Sequence, residues 1–445
     1  MKKRLKIKNI LILINILFLL GCCIFYGSRM IHYYRIENPK IEDVKTLVEL
    51  VTLGKNLTDN GDGLYHENDM YYYKGKNVNN YLLYSGRLFR IVSIDKSGYM
   101  KLITEELQTS MVWGYNQEFE NSYVRNWLND DTDSYKSFLH SLDNTQGLLV
   151  NTNTCVDETD GKTITCDKNY ESTVGLLSVY EYNLAGASDS YLNIGSYWWT
   201  SNKDNDGNAW YVYKKGTVNN DSSSGYTYYS YGVRPTITIN GKISNFKGTG
   251  TKNDPYEITF DKGKNLNDQY VGEYVLFNDI VWRIQETEEK YVKLASSDGI
   301  KDKDYILAKY GSKNMYSADY GIGNYLNVTF YNSLKDKDSI LLGVFNNGKY
   351  DRTNKYDLSK INEYTVTCNI GLLQIGDLFI NDVEKYYLAT RTLTSDNSIY
   401  QVLEDGKIYI GNLKEEMKIR PTLHVKPDLK IVSGSGTKDD PYKLG

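Results

Sequence analysis

The sequence predicts a β-rich α+β protein: an N-terminal transmembrane helix followed by two tandem copies of one domain built from antiparallel sheets. Three observations carry that prediction. The phrase GTGTKNDPYEI, Gly248 to Ile258, returns as GSGTKDDPYKL, Gly434 to Leu444, at the very end of the chain. Short runs of alternating apolar and polar residues, broken by Gly, Asn and Asp, recur throughout and are the signature of antiparallel strands. A charge-free apolar stretch follows a basic start. A chain of 445 residues has room for two or three domains. Its net charge of −4 is spread out and offers no basic field, which argues against a nucleic-acid partner. The 42 Tyr against 6 Pro suit pleated, aromatic-rich strands.

The first nine residues, MKKRLKIKN, carry five basic side chains and form a cytoplasmic tail (1–9). Ile10 to Gly27 contains no charge, and its length as a helix, about 27 Å, just spans a bilayer. Basic residues ahead of the span favour a cytoplasmic N-terminus, which places the body of the chain outside the cell membrane. The segment Leu19-Leu20-Gly21-Cys22 also resembles a bacterial lipoprotein signal, with Cys22 lipidated after cleavage. Both readings make the membrane a partner of the N-terminal segment and put the body outside. Residues 28–60 read as a helical stalk, since Val44, Leu47, Val48 and Val51 share one face at helical spacing.

Six blocks then occur twice in one order, about 190 residues apart. YLLYSGRLFRIVSIDKSGYMKLIT from Tyr81 matches YVLFNDIVWRIQETEEKYVKLAS from Tyr274, three strands in each case. The helix SYVRNWLND (Ser122 to Asp130) matches GIGNYLNVTFYNSL (Gly321 to Leu334). VGLLSVYEY matches IGLLQIGDL, YGVRPTITI matches MKIRPTLHV, and the closing phrase ends both. A repeat this long is a duplicated domain with its own core, not a short-period solenoid. The copies span 61–260 and 261–445. The closing phrase, with Pro confined to a strand start or edge, brings each copy's end back to its first strands.

The segments Tyr197-Trp198-Trp199-Thr200-Ser201, Ala209-Trp210-Tyr211-Val212 and Gly232-Val233-Arg234-Pro235 resemble the C-type-lectin-like fold, in the form shared by the formylglycine-generating-enzyme (sulfatase-modifying-factor) superfamily. Both copies look more closely like an uncharacterised module of surface and pilin-like proteins of low-GC Gram-positive bacteria. Its motifs stand here as Gly61 to Tyr65, Phe89-Arg90-Ile91 (with Phe where Trp is usual), Arg125 to Asn129, Val233 to Pro235 and Gly250 to Tyr256. The resemblance implies two tandem C-type-lectin-like domains with antiparallel sheets, one or two flanking helices and long loops. It does not carry over the enzyme, because neither copy has the paired cysteines on which that catalysis depends. Nor does it carry over a pilin role, since no prepilin processing motif is present.

Cys155 and Cys166 flank the Gly-centred turn VDETDGKTIT. They pair as a hairpin disulfide in an oxidising compartment or remain two free thiols on a loop; Cys368 has no evident partner. Arg90, Arg234, Arg283 and Arg420 read as structural forks onto carbonyls or carboxylates inside the domain. Trp198 and Trp210 read as core. Trp199, Tyr211, Tyr226, Tyr228 and Tyr229 are the candidate ligand-binding residues, because exposed rings stack on sugars or anchor a protein partner. No metal site is expected; Asp59, Asp62, Asp204 and Asp206 lie in Asp/Asn/Gly turns that make weak Ca²⁺ candidates without a full loop. No cofactor or catalytic residue is expected. The resulting function is recognition of a glycan or protein by the first copy of a surface-anchored adhesin. Competing readings are a structural or assembly component and, behind both, an enzyme.

Overall fold

The computed structural model describes residues 24, 44–114, 118–132, 135–143, 147–162, 166–220, 230–258, 260–350, 364–392 and 395–445. The anchor segment on which the membrane expectation rests lies outside them apart from Ile24, and no helix among the described residues is long and apolar enough to cross a membrane. The chain is β-rich with few helices. The short helix Leu47–Val51 is started by a capping box between Thr46 and Glu49, and it buries Leu47 and Val51.

Each half has two curled sheets and a separate two-stranded one, and the main sheets of the two halves match in strand order. The main sheet of the first copy runs Val174–Leu176, Pro235–Asn240, Tyr99–Thr104, Arg87–Ile94, Tyr81–Tyr84, Tyr256–Ile258, Phe246–Lys247, with Leu149–Val150 also on Pro235–Asn240. In the second copy it runs Ile340–Leu341, Pro421–Val425, Val292–Ser296, Ile280–Thr287, Tyr274–Phe277, Tyr442–Leu444, Ile431–Ser433, with Ile370–Leu372 also on Pro421–Val425. Among the described residues the two sheets have ten and eight strands, and the difference is a leading hairpin, Gly63–Glu67 and Met70–Lys74, present in the first copy. Its second strand pairs with Arg87–Ile94 at Tyr72–Ser93.

The repeated phrase now has a physical role. Tyr256 pairs in parallel with Leu82, and Tyr442 with Val275 in the same way. Each copy's last strand therefore closes onto the first strand of the repeated three-strand meander, Tyr81–Tyr84 or Tyr274–Phe277. The glycines of the phrase are required there. Gly248 and Gly434 have φ of +93° and +94°, and a Cβ at either would collide with the carbonyl of Pro255 or Pro441.

Other repeated residues hold repeated contacts. Asn129 and Asn327, on the matching helices, each form a reciprocal pair of hydrogen bonds with the backbone of Val174 or Ile370, at 2.9 and 3.0 Å in both copies. Arg234 and Arg420 are fully buried, and each donates from Nε at 3.0 Å to the carbonyl of Thr104 or Ser296. Their Nη1 atoms reach the carbonyls of Leu192 and Phe379 at 2.7 and 2.9 Å. Arg90 bonds Asn80 and Glu105, and Arg283 takes Asp382 in a fork at 2.9 and 3.0 Å. Cys155 and Cys166 form a disulfide with 5.8 Å between their Cα atoms, and Cys368 is a buried free thiol.

The copies share one core and interlock at a turn of the second, 376–382. Trp127 Nε1 donates to the Gly376 carbonyl at 2.8 Å, Thr109 Oγ1 to the Asp377 carbonyl at 2.9 Å, and the Phe379 amide to the Gln108 carbonyl at 2.6 Å. Glu106 of the first copy pairs with Arg283 of the second.

Two outcomes follow. Arg420→Leu leaves the Ser296, Phe379 and Ile380 carbonyls without their buried donor, and denaturant unfolding should register a loss of about 3–5 kcal/mol. Cys155→Ser removes a cross-link across an 11-residue separation, and the same measurement should show about 3 kcal/mol lost under oxidising conditions and no difference once the parent is reduced.

Candidate ligand site between the two copies

The aromatic residues proposed as a surface are largely core. Trp199 is fully buried and donates Nε1 to the Met111 carbonyl at 2.9 Å, which corrects its assignment as a ligand contact. The reason is that Trp198–Lys203 is the central strand of its sheet and is covered on both faces, so alternation exposes neither Trp. Tyr211 is half-buried, with its ring 4.3 Å from that of Tyr231. Trp198 and Trp210 are core as expected, the latter donating to the Thr159 carbonyl at 3.1 Å. Tyr226, Tyr228 and Tyr229 lie outside the described residues.

The acidic turns are organised by N–H donors. Asp204 accepts the amides of Asp206 and Asn208 at 2.9 and 2.7 Å and the side-chain amides of Asn208 and Asn220 at 2.9 and 2.5 Å. Burial would raise its carboxyl, but these donors outweigh burial and hold it below the ordinary carboxylate value. Asp62 accepts the Asn77 amide at 2.8 Å, and Asp59 and Asp206 are exposed. Among the described residues, the grouping of metal-ligating types is Cys155, Asp157 and Cys166, and its two sulfurs are joined to each other.

A site that the sequence reading did not select lies at the seam. A cavity of about 300 Å³ opens between Thr132 and residues 135–141 of the first copy and the second copy's main sheet. Its floor is built on a β-bulge: Ile284 pairs with Leu294 and Glu286 with Lys293, leaving Gln285 as the extra residue. Bulges re-aim side chains and are frequent beside binding sites. Gln285 is only 5 % exposed, and neither its Oε1 nor its Nε2 has a hydrogen-bond partner among the described residues.

The charged groups of the floor are engaged by neighbours within it. Lys293 meets Asp377 at 2.7 Å, and the Tyr291 hydroxyl donates to Glu286 at 2.8 Å. Burial raises the Glu286 carboxyl above its ordinary range, with Lys293 and Tyr291 opposing. The His424 ring stacks on Tyr291 at 4.4 Å and lies 5.0 Å from Phe345. Burial, with the Lys293 ammonium adding to it, pushes the imidazole down to about 3. At the mouth His140 bridges the copies, with Nδ1 2.8 Å from Asp131 and Nε2 3.1 Å from Glu288. The signal for Gln285 was present in the repeat itself: aligning FRIVSI with WRIQET places a carboxamide where the first copy has Val92.

Residues 97–241 match a family described as a domain of unknown function, DUF6273, which covers most of the first copy and none of the second. No curated protein and no solved structure matches the chain.

His424 makes a pH prediction. Between its ordinary 6.5 and about 3 the unfolded imidazole binds a proton that the folded one refuses, so stability falls as the pH falls through that window. The slope is at most about 1.4 kcal/mol per pH unit. Glu286, being raised, acts in the opposite sense above its ordinary value, so the comparison with a variant isolates the histidine. Urea titrations across the window should show a flatter acid limb in His424→Gln; an unchanged limb would mean that the ring protonates in the folded state.

Proposed function

We propose that the chain is a membrane-anchored binding protein displayed outside the cell, with two tandem C-type-lectin-like modules recognising a glycan or protein ligand. The anchor is the N-terminal segment, either as an uncleaved span or through a lipidated Cys22. The observation that carries the binding reading is the seam cavity with the unpartnered Gln285 carboxamide in its floor. Its titratable groups are engaged with each other, while its free group is an amide, which suits holding a ligand better than transforming one. The disulfide supports an oxidising, external compartment. On this reading the ligand site moves from the first module to the seam.

A second reading, assembly of a surface structure, is favoured by a different feature. Gly343–Asn346 and Thr365–Cys368 form a two-stranded sheet of their own, on and beside which Leu342 and Val344 are 66 and 58 % exposed.

Probing arrays of cell-surface glycans and peptides with the full chain decides between them. Saturable binding is expected, reduced about tenfold or more in Gln285→Leu. A folded chain that binds nothing on such arrays would overturn the binding reading in favour of assembly.

A further inference from the structure

Gln285 and Val92 occupy the same place in the two copies. In the first, Val92 is the extra residue between the pairs Ile91–Leu102 and Ser93–Lys101, as Gln285 is in the second. Lys101 meets Glu181 there as Lys293 meets Asp377. The surroundings differ. Val92 is covered by the leading hairpin, through Tyr72 beside Ser93, and by the helix Val179–Leu184, which sets Tyr180 and Leu184 over it. About 70 Å³ of space remains.

The second copy lacks both covers. It has no leading hairpin among the described residues, and Gly376 stands where Tyr180 stood. With φ of +97°, Gly376 cannot continue a helix, and it removes a whole aromatic ring from the space. The cavity is accordingly about 300 Å³, within the range of small-ligand sites. Unfilled apolar space would be closed by larger apolar side chains; here the residue at its floor is instead a carboxamide. Burying an amide with no partner is unfavourable, and a bound ligand that supplies the partners removes that penalty.

The chemistry of the floor narrows the ligand. Lys293 and Asp377 neutralise each other, Lys136 at the mouth stands 3.8 Å from Asp131, and Glu286 accepts the Tyr291 hydroxyl, so each ammonium that lines the space already has a carboxylate. Gln285 offers a donor and an acceptor side by side. The Tyr291, His424 and Phe345 rings give an aromatic wall. A sugar ring matches all three features: one hydroxyl accepts from Nε2, its neighbour donates to Oε1, and its C–H face lies against the rings. We propose that the seam cavity binds a neutral sugar residue through the Gln285 carboxamide; this rests on the binding reading above and names its ligand class and contact.

The test uses the full chain, titrated by saturation-transfer NMR with glucose, galactose and N-acetylglucosamine, and with glucuronate and glucosamine as charged comparators. The variant is Gln285→Val, the first copy's own residue. At least one neutral sugar should bind saturably, more tightly than either charged one. Gln285→Val should weaken it about tenfold or more while raising the melting temperature, because the valine leaves no polar atom unpaired. Preference for a charged sugar, or binding indifferent to Gln285→Val, overturns the proposal and leaves the binding reading standing. Failure of every sugar, together with an empty glycan and peptide array, overturns both.

Discussion

The turn 376–382 is the contact on which the rest of the molecule depends. Two buried guanidinium groups hold it from within the second copy: Arg420 donates to the Phe379 and Ile380 carbonyls, and Arg283 grips the Asp382 carboxylate. The first copy reads the same turn from outside through Trp127, Gln108 and Thr109. A turn stabilised only from one side would be an ordinary surface loop. Held from both, it fixes the angle between the copies and, with it, the width of the cavity that Gly376 and Asp377 line. Phe379 adopts φ of +56° there, a conformation unfavourable for a non-glycine residue, and the carbonyl it aims at Arg420 shows what sustains it.

Duplication explains why the two sites differ while the frame does not. The residues that close each domain, fork onto its carbonyls and pin its helix recur in both copies because each copy must satisfy the same buried backbone groups. The covering elements answer to no such demand. A hairpin and a helix shield one sheet, whereas the face of its counterpart is partly covered by Thr132 and residues 135–141 of the other copy. Their absence there leaves a space with walls from both copies, which neither copy encloses alone.

Much of this was legible in the sequence. The paired phrases, the Arg-Pro dipeptides and the Cys155 to Cys166 spacing report local requirements of turn geometry, buried donors and loop closure, and those requirements act on the residues that carry them. Trp199 reads as an exposed ring in the sequence, but a strand in the middle of a doubly covered sheet has no face on which to expose one. The cavity was illegible for a different reason. It is made by absences, a missing hairpin and a glycine in place of Tyr180, and by the docking of two distant stretches. Only the Val92 to Gln285 change left a mark in the sequence, and it stands out once the copies are laid over each other rather than read in turn.

The parallel closure of each copy also sets an order on how the chain acquires its structure. The strand that opens each repeated meander waits for a partner that is nearly the last segment of its copy to be made, so its sheet stays open at one edge until synthesis has passed through the whole domain. For the second copy that partner is Tyr442–Leu444. The first copy can therefore close while the second is still being made, and a cut that removes Tyr442–Leu444 leaves Tyr274–Phe277 without its parallel partner. Each copy is sealed only once its own closing phrase has been made.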